Sequence, residues 1–153
     1  MTRLLALAAA LVCIAAAAHP SAARRSTRAR HARTEPSHTV WDSVYSDSQV
    51  IRAESTYSQS CAKCHGSTLE GAQDGGPLTG PDFLANWDGM TLADLHEKIR
   101  TTMPPDTPNT IPAAQVADLV ALVLARNHYP AGPTPLTADA ARLRDIKIAR
   151  TKP

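Results

Sequence analysis

Aromatic residues are scarce in this chain: two Trp, three Tyr and one Phe among 153 residues. Six rings (Trp41, Tyr45, Tyr57, Phe83, Trp87 and Tyr129) are too few to fill a dry core of that length. A small domain with so little to bury needs a staple, a metal or a cofactor. Cysteine is equally sparse, three in all, which excludes a disulfide-dense scaffold. A large excess of one charge is missing as well, since the formal net charge is +2 and 43% of the residues are hydrophobic. That pairing excludes a chain disordered throughout. The apolar total is itself inflated, because 27 residues are Ala and ten of them precede Arg24. No stretch alternates apolar and polar residues with β-branched enrichment, so no strands are predicted. What remains is one domain with tails.

The small net charge hides a segregation. Residues 1–23 carry +1, 24–39 carry +4, 40–128 carry −6 and 129–153 carry +3. The basic groups at both ends sit among Ser, Thr, Ala and Pro rather than on a periodic face, which argues against a nucleic-acid partner.

Met1 to Arg3 is a short, positively charged start, and Leu4 to Ala18 is an apolar run of 15 residues followed by the small residues Ser21, Ala22 and Ala23. This is the pattern of a secretory signal peptide over residues 1–23, with cleavage near Ala18 or Ala23. A membrane anchor is the competing reading, but about 20 apolar residues are needed to span a bilayer. No integral span is therefore expected after cleavage, and Cys13 belongs to the discarded segment. Residues 24–39, with Arg24, Arg25, Arg28, Arg30 and Arg33, read as a flexible basic linker. A contact with anionic lipid head groups is the alternative role.

Beyond Thr39 the start and stop signals are helical. Ser46 and Gln49 form a capping pair, with Val50, Ala53 and Tyr57 at helical spacing leading into Cys61. Thr91 and Asp94 form a second pair, with Met90 and Leu95 placed as a hydrophobic staple and Leu92, Leu95 and Ile99 on one face. Pro112 opens a third helix whose stripe is Val116, Leu119, Val120, Val123 and Leu124, ending before Pro130. Between them Gly71 to Pro81 and Pro104 to Pro112 read as loops. The fold class is all-α and loop-rich.

Cys61-Ala62-Lys63-Cys64-His65 is the attachment signature of c-type haem. At a helix end, positions i and i+3 share a side, so two sulfurs can form thioethers to one porphyrin. The next residue, His65, then places an imidazole as the proximal iron ligand. A Cys61–Cys64 disulfide, a thioredoxin-like pair and a zinc site compete for the same residues. The thioredoxin-like pair expects a βαβ context, and zinc would need a fourth ligand from His96 or His128 with no paired spacing.

For the sixth position the candidates are Met90, Met103, His96 and His128. Met103 sits in Thr101-Thr102-Met103-Pro104-Pro105, where prolines stop the helix and stiffen the loop, and it is the preferred ligand. A gap-filling core methionine is the plain alternative. His96 and His128 fall at charged or terminal positions, where a solvated ring is the default. Pro77, twelve residues after His65, is the candidate to accept the second ring nitrogen of His65 through its carbonyl, the contact that fixes a ligand's tautomer.

These residues resemble the class I cytochrome c family over about residues 40–130: an amino-terminal helix, the haem motif, the Gly76-Pro77-Leu78 loop, Met103-Pro104 and a carboxy-terminal helix. The resemblance implies a cytochrome c-like fold in which the first and last helices cross, with Ala53 and Tyr57 at the contact and Leu122 where an aromatic is usual. Val40 to Tyr45 and the stretch from Tyr129 to Ile148 look similar to small periplasmic cytochromes c related to quinoprotein dehydrogenase cytochrome domains. By that likeness one haem c is covalently held, with Cys61, Cys64, Pro77, Leu78, Phe83 and Trp87 against it and His65 and Met103 on its iron. A tail over 131–153 wraps the domain through Leu136, Leu143, Ile146 and Ile148. The function implied is a periplasmic one-electron carrier, not an enzyme, between a dehydrogenase or quinol-oxidising complex and a terminal acceptor. Its redox partners would be a quinoprotein dehydrogenase, a cytochrome complex or an oxidase. A haem-based gas sensor or a peroxidase with an open or displaceable sixth site is the alternative.

Overall fold

Ser46 stands in the extended region, φ −113° and ψ 151°, and starts helix α1 (Asp47–Ser60). Its backbone N–H donates to Gln49 Oε1 at 3.3 Å, the return half of a capping box. The computed structural model describes residues 38–72 and 74–153, and the described residues lie in one compact unit. The leader at 1–23 and residues 24–37 of the expected linker lie outside the described residues. After α1 come α2 (Ala62–His65), α3 (Gly80–Trp87), α4 (Leu92–Thr102), α5 (Ala113–Arg126) and α6 (Ala140–Arg144), flanked by strands β1 (His38–Thr39) and β2 (Ile146–Lys147).

The centre of the packing is α5. It buries Val116, Leu119, Val120, Leu122, Val123 and Leu124, because α1 covers one side and α4 another. Arg52 holds Asp118 through two bonds of 2.9 Å, and Arg126 reaches Glu54 at 2.5 Å. Gln49, 2% exposed, donates to Asp118 Oδ1 at 2.9 Å and to the Leu136 carbonyl at 3.0 Å, and accepts from the Leu136 N–H at 2.6 Å. One side chain thus joins α1, α5 and the stretch after α5.

That stretch runs back over the body. Trp41 Nε1 and the Tyr129 hydroxyl both donate to the Ala149 carbonyl, at 2.9 and 3.1 Å. Trp41 and Tyr129 meet edge-on with centroids 4.9 Å apart, and the Tyr45 hydroxyl donates to the Tyr129 carbonyl at 2.6 Å. Ile148 donates to the Met90 carbonyl and accepts from the Gly89 N–H, both at 2.8 Å. Leu136, Leu143 and Ile148 are buried. Half of the few aromatics therefore hold this segment, Tyr45 and Tyr129 from within the core and Trp41 packed against it.

Four details differ from expectation. Two strands exist: β1 and β2 pair in parallel, His38 with Ile146 and Thr39 with Lys147, and two residues are too short for any alternation to show. His38 and Thr39, expected to end the linker, belong to this ladder. Helix α3, which was not expected, begins in the last two residues of the Gly71 to Pro81 loop, because Pro81 sits in its first turn, where the missing N–H costs nothing. Met90, expected to be held in a staple on Leu95, is 40% exposed. His96, expected in solvent, is 6% exposed, and its Nε2 donates to the Ala113 carbonyl at 3.0 Å, tying α4 to the start of α5.

Candidate metal centre

Helix α1 ends at the chemistry. The Cys61 N–H closes its last turn on the Tyr57 carbonyl at 2.8 Å, and the Cys61 carbonyl accepts from Cys64 and His65 at 3.1 and 3.0 Å. Cys61 is thus both the C-cap of α1 and the N-cap of α2. This tight turn sets the two sulfurs three residues apart on one side. Both cysteines carry free, half-buried thiols, and burial pushes the Cys61 thiol up to about 11. An unassisted Cys61 is therefore a protonated thiol at neutral pH. The Tyr57 hydroxyl donates to the Gly66 carbonyl at 2.6 Å just beyond the motif. Burial is the main reason its ionisation is pushed up to about 12, with the Cys61 and Glu70 charges adding to it.

A glycine loop then folds back onto α2. Gly71, at φ +90°, is in the left-handed region, and a Cβ there would lie 2.9 Å from the Pro77 nitrogen. At Gly75 a Cβ would lie 2.5 Å from the Cys64 carbonyl oxygen and 3.0 Å from His65 Nδ1. Only glycine permits that approach. Its product is a 2.7 Å hydrogen bond between His65 Nδ1 and the Gly76 carbonyl. A carbonyl only accepts, so Nδ1 carries the proton and Nε2 keeps its lone pair. The acceptor is Gly76 and not Pro77: the loop turns the Gly76 carbonyl inward, and Pro77 is the stiff residue that follows.

Leu78 is fixed by its N–H to the Leu69 carbonyl at 2.8 Å. Leu78, Trp87 and Ile99 are partly buried against the core, whereas Phe83 is fully inside it at 3% exposure. Phe83 and Trp87 are in ring contact, centroids 6.1 Å apart. Met103 comes from another element. It caps the C-terminus of α4 in extended geometry, half-buried, with its N–H on the Ile99 carbonyl at 3.0 Å. The structure joins Cys61, Cys64, His65 and the 75–76 turn by direct contacts, and places Met103 at the C-terminal end of α4. Sequence reasoning missed Gly75 and Gly76, although the adjacent glycines so soon after the motif were a visible sign of a close backbone approach.

These residues fit a haem. The imidazole is held through Nδ1 with Nε2 as its lone-pair donor, and it directly follows two free, half-buried cysteines three residues apart. Among the described residues no group of three or more His, Cys, Asp or Glu side chains converges as an ion site. That suits sulfurs bonded to a macrocycle better than sulfurs meeting at one zinc. Two surface grooves, one lined by His38, Asp42, Leu136 and Arg142 and the other by His96, Glu97, Leu143 and Arg144, share no residue with this centre.

Residues 48–123 match the family model described as cytochrome c oxidase, cbb3-type, subunit III. No curated protein and no solved structure matches the chain. The matched stretch begins in α1, contains the whole motif and loop, and ends in α5. With the turn that presents Cys61 and Cys64 and the imidazole oriented by Gly76, it shows that this chain carries a c-type cytochrome domain with haem c as its cofactor.

Proposed function

We propose that the chain is an exported monohaem electron carrier. It would take one electron from a dehydrogenase or quinol-oxidising complex and pass it to a terminal acceptor. The carrying observation is the 2.7 Å bond from His65 Nδ1 to the Gly76 carbonyl, which commits the ring to a single tautomer with Nε2 as the donor atom. Haem c, when bound, supplies a one-electron ferric–ferrous couple. The chain's own residues do the rest. Cys61 and Cys64 would each add S–H across a vinyl group, the sulfur bonding the carbon next to the ring and the proton going to the terminal carbon, and so hold the group covalently. His65 would supply Nε2 as a ligand to the iron, and the Gly76 carbonyl keeps that ring from turning. Met103 would supply a soft thioether as the second ligand, which would favour the ferrous state and raise the potential over that of two imidazoles. Leu78, Phe83 and Trp87 keep water from the pocket, and Pro77 stiffens the segment leading to Leu78.

The organisation that accompanies this reading is a cleaved leader at 1–23, a basic linker that hands over to the folded unit at His38, a cytochrome domain to about residue 130 with crossed first and last helices, and a tail over 131–153. The site of action is the periplasm, which the leader supports and where covalent haem attachment belongs. No described helix is long and apolar enough to cross a membrane. A haem stain after denaturing electrophoresis tests the covalent group. A far-red ferric band that disappears in Met103→Ala tests the sixth ligand. Rapid carbon monoxide binding by the untreated ferrous protein would overturn the carrier reading and leave a gas-binding or peroxidase site.

A further inference from the structure

Asn127 is 8% exposed and follows directly on α5. Its backbone N–H already closes the helix on the Val123 and Leu124 carbonyls, both at 3.1 Å, so its side chain is not needed for that N–H. The side chain instead reaches a segment 47 to 49 positions earlier in the chain. Nδ2 donates to the Leu78 carbonyl at 2.9 Å and to the Val123 carbonyl at 2.8 Å, and Oδ1 accepts from the Gly80 N–H at 3.1 Å. The amide has one possible orientation, since turning it over would set oxygen against two carbonyls and NH2 against an N–H.

Gly80 is the first residue of α3, whose N–H has no partner inside the helix. Thr79 stands at the cap position, yet its hydroxyl turns away to the Leu69 carbonyl at 3.3 Å. Asn127 therefore caps α3 from another helix. The same side chain fixes the peptide after Leu78 through its carbonyl, while the Leu69 carbonyl fixes the Pro77–Leu78 peptide through its N–H at 2.8 Å. Only Pro77, with its φ locked by the ring, separates that clamped peptide from Gly76, the acceptor of the His65 Nδ1 proton.

We propose that Asn127 is a positioning residue for the axial imidazole. By clamping Leu78 and Gly80 it sets the length of the His65–Gly76 hydrogen bond, and through it the reduction potential. The inference rests on His65 as the iron ligand. A short bond from the ring N–H to a carbonyl makes the imidazole more basic and stabilises ferric iron, so loosening it raises the potential.

Asn127→Leu removes all three bonds. Asn127→Asp keeps an acceptor for Gly80 and sets a carboxylate against two carbonyls. In the haem-bearing protein both raise the midpoint potential, shifting the one-electron equilibrium constant by about three- to tenfold, about 30–60 mV at 59 mV per tenfold. Both also move the His65 ring N–H proton resonance upfield. Tyr45→Phe, which removes a buried bond on the tail side, lowers thermal stability and leaves potential and resonance unchanged. Asn127 variants that behave like Tyr45→Phe refute the proposal. The unaltered protein gives an independent reading by hydrogen exchange. The Gly80 amide and the His65 ring proton should exchange through one opening, with protection agreeing within about threefold, and a discrepancy of about tenfold or more refutes the coupling. Absence of covalent haem in the unaltered protein would overturn the His65 assignment and this proposal with it. An unmoved potential in haem-bearing variants overturns the Asn127 role alone.

Discussion

Gly75 and Gly76 are neighbours, yet the same added methyl group should act in opposite directions at the two. At Gly75 a Cβ would lie 2.5 Å from the Cys64 carbonyl oxygen and 2.8 Å from its carbon. An ordinary carbon-to-oxygen approach is about 3.3 Å, so the loop must retreat by about 0.8 Å. The clashing atoms are backbone, and no side chain can swing aside. Carried into the 2.7 Å His65–Gly76 bond, that retreat stretches it to about 3.5 Å, beyond a useful hydrogen bond. Overpacking costs about 1–3 kcal/mol and the lost bond about 0.5–1.5 kcal/mol, so Gly75→Ala should cost about 1.5–4.5 kcal/mol, with a central value of about 2–4 kcal/mol. For a domain of this size that is a fall in Tm of roughly 8–16 °C. At Gly76 nothing lies within 4 Å of the added atom, and Gly76→Ala should gain about 0.4–1 kcal/mol by restricting the unfolded chain. Thermal melts of the haem-bearing variants, followed at the Soret band and by backbone circular dichroism, measure both. A difference of less than about 1 kcal/mol between the two variants, the size of an ordinary substitution effect, would refute the close-approach argument.

Met103→Ala should lower the midpoint potential by an amount on the order of tenths of a volt, within the ~0.8 V range that axial ligands set, as measured by redox titration. Gln49→Ala leaves the Leu136 N–H and carbonyl without their partner and should cost about 2–4 kcal/mol, with amide exchange at Leu136 rising most. Tyr57→Phe loses the bond to Gly66, at about 0.5–1.5 kcal/mol. Because the folded-state ionisation of Tyr57 is raised from 10.0 to about 12, its stabilisation is complete below pH 10 and disappears as pH rises through about 12. The gap between parent and Tyr57→Phe in denaturant titrations should therefore close over that window, and a constant gap would exclude the link. Electron transfer with a basic partner should slow as salt rises, since residues 40–128 carry −6 and exposed charges steer encounter.

How much of this was readable from the chain depends on the range of the signal. Helices α1, α4 and α5 announce themselves through Ser46, Thr91 and Pro112 and through apolar residues at helical spacing, all of which act within a few positions. Helix α3 was hidden because Pro81 is as much a loop residue as a first-turn residue, and Phe83 and Trp87 alone make too short a stripe. His96 is flanked by Glu97 and Lys98, so its neighbours suggest solvent, while burial comes from the Ala113 carbonyl, 17 residues away. The motif at 61–65 is legible because its chemistry is local. Which carbonyl meets His65, Gly76 or Pro77, is a matter of peptide direction that residue identity does not encode. The clamp made by Asn127 leaves no sequence sign at all, since Leu78 and Gly80 lie 49 and 47 positions earlier.

The pairing of β1 with β2 has a consequence for how the chain is made. His38 and Thr39 emerge early from any synthesis or translocation that proceeds from the amino terminus, and their partners Ile146 and Lys147 emerge more than a hundred residues later. The first strand must wait for almost the last. Cys61 and Cys64 are presented long before that ladder, the Trp41–Ala149 bond or the Asn127 clamp can close. Residues 146–149 thus supply contacts to His38, Thr39 and Trp41 that no earlier part of the chain can make, so the amino-terminal edge of the unit is complete only when the tail has closed on it.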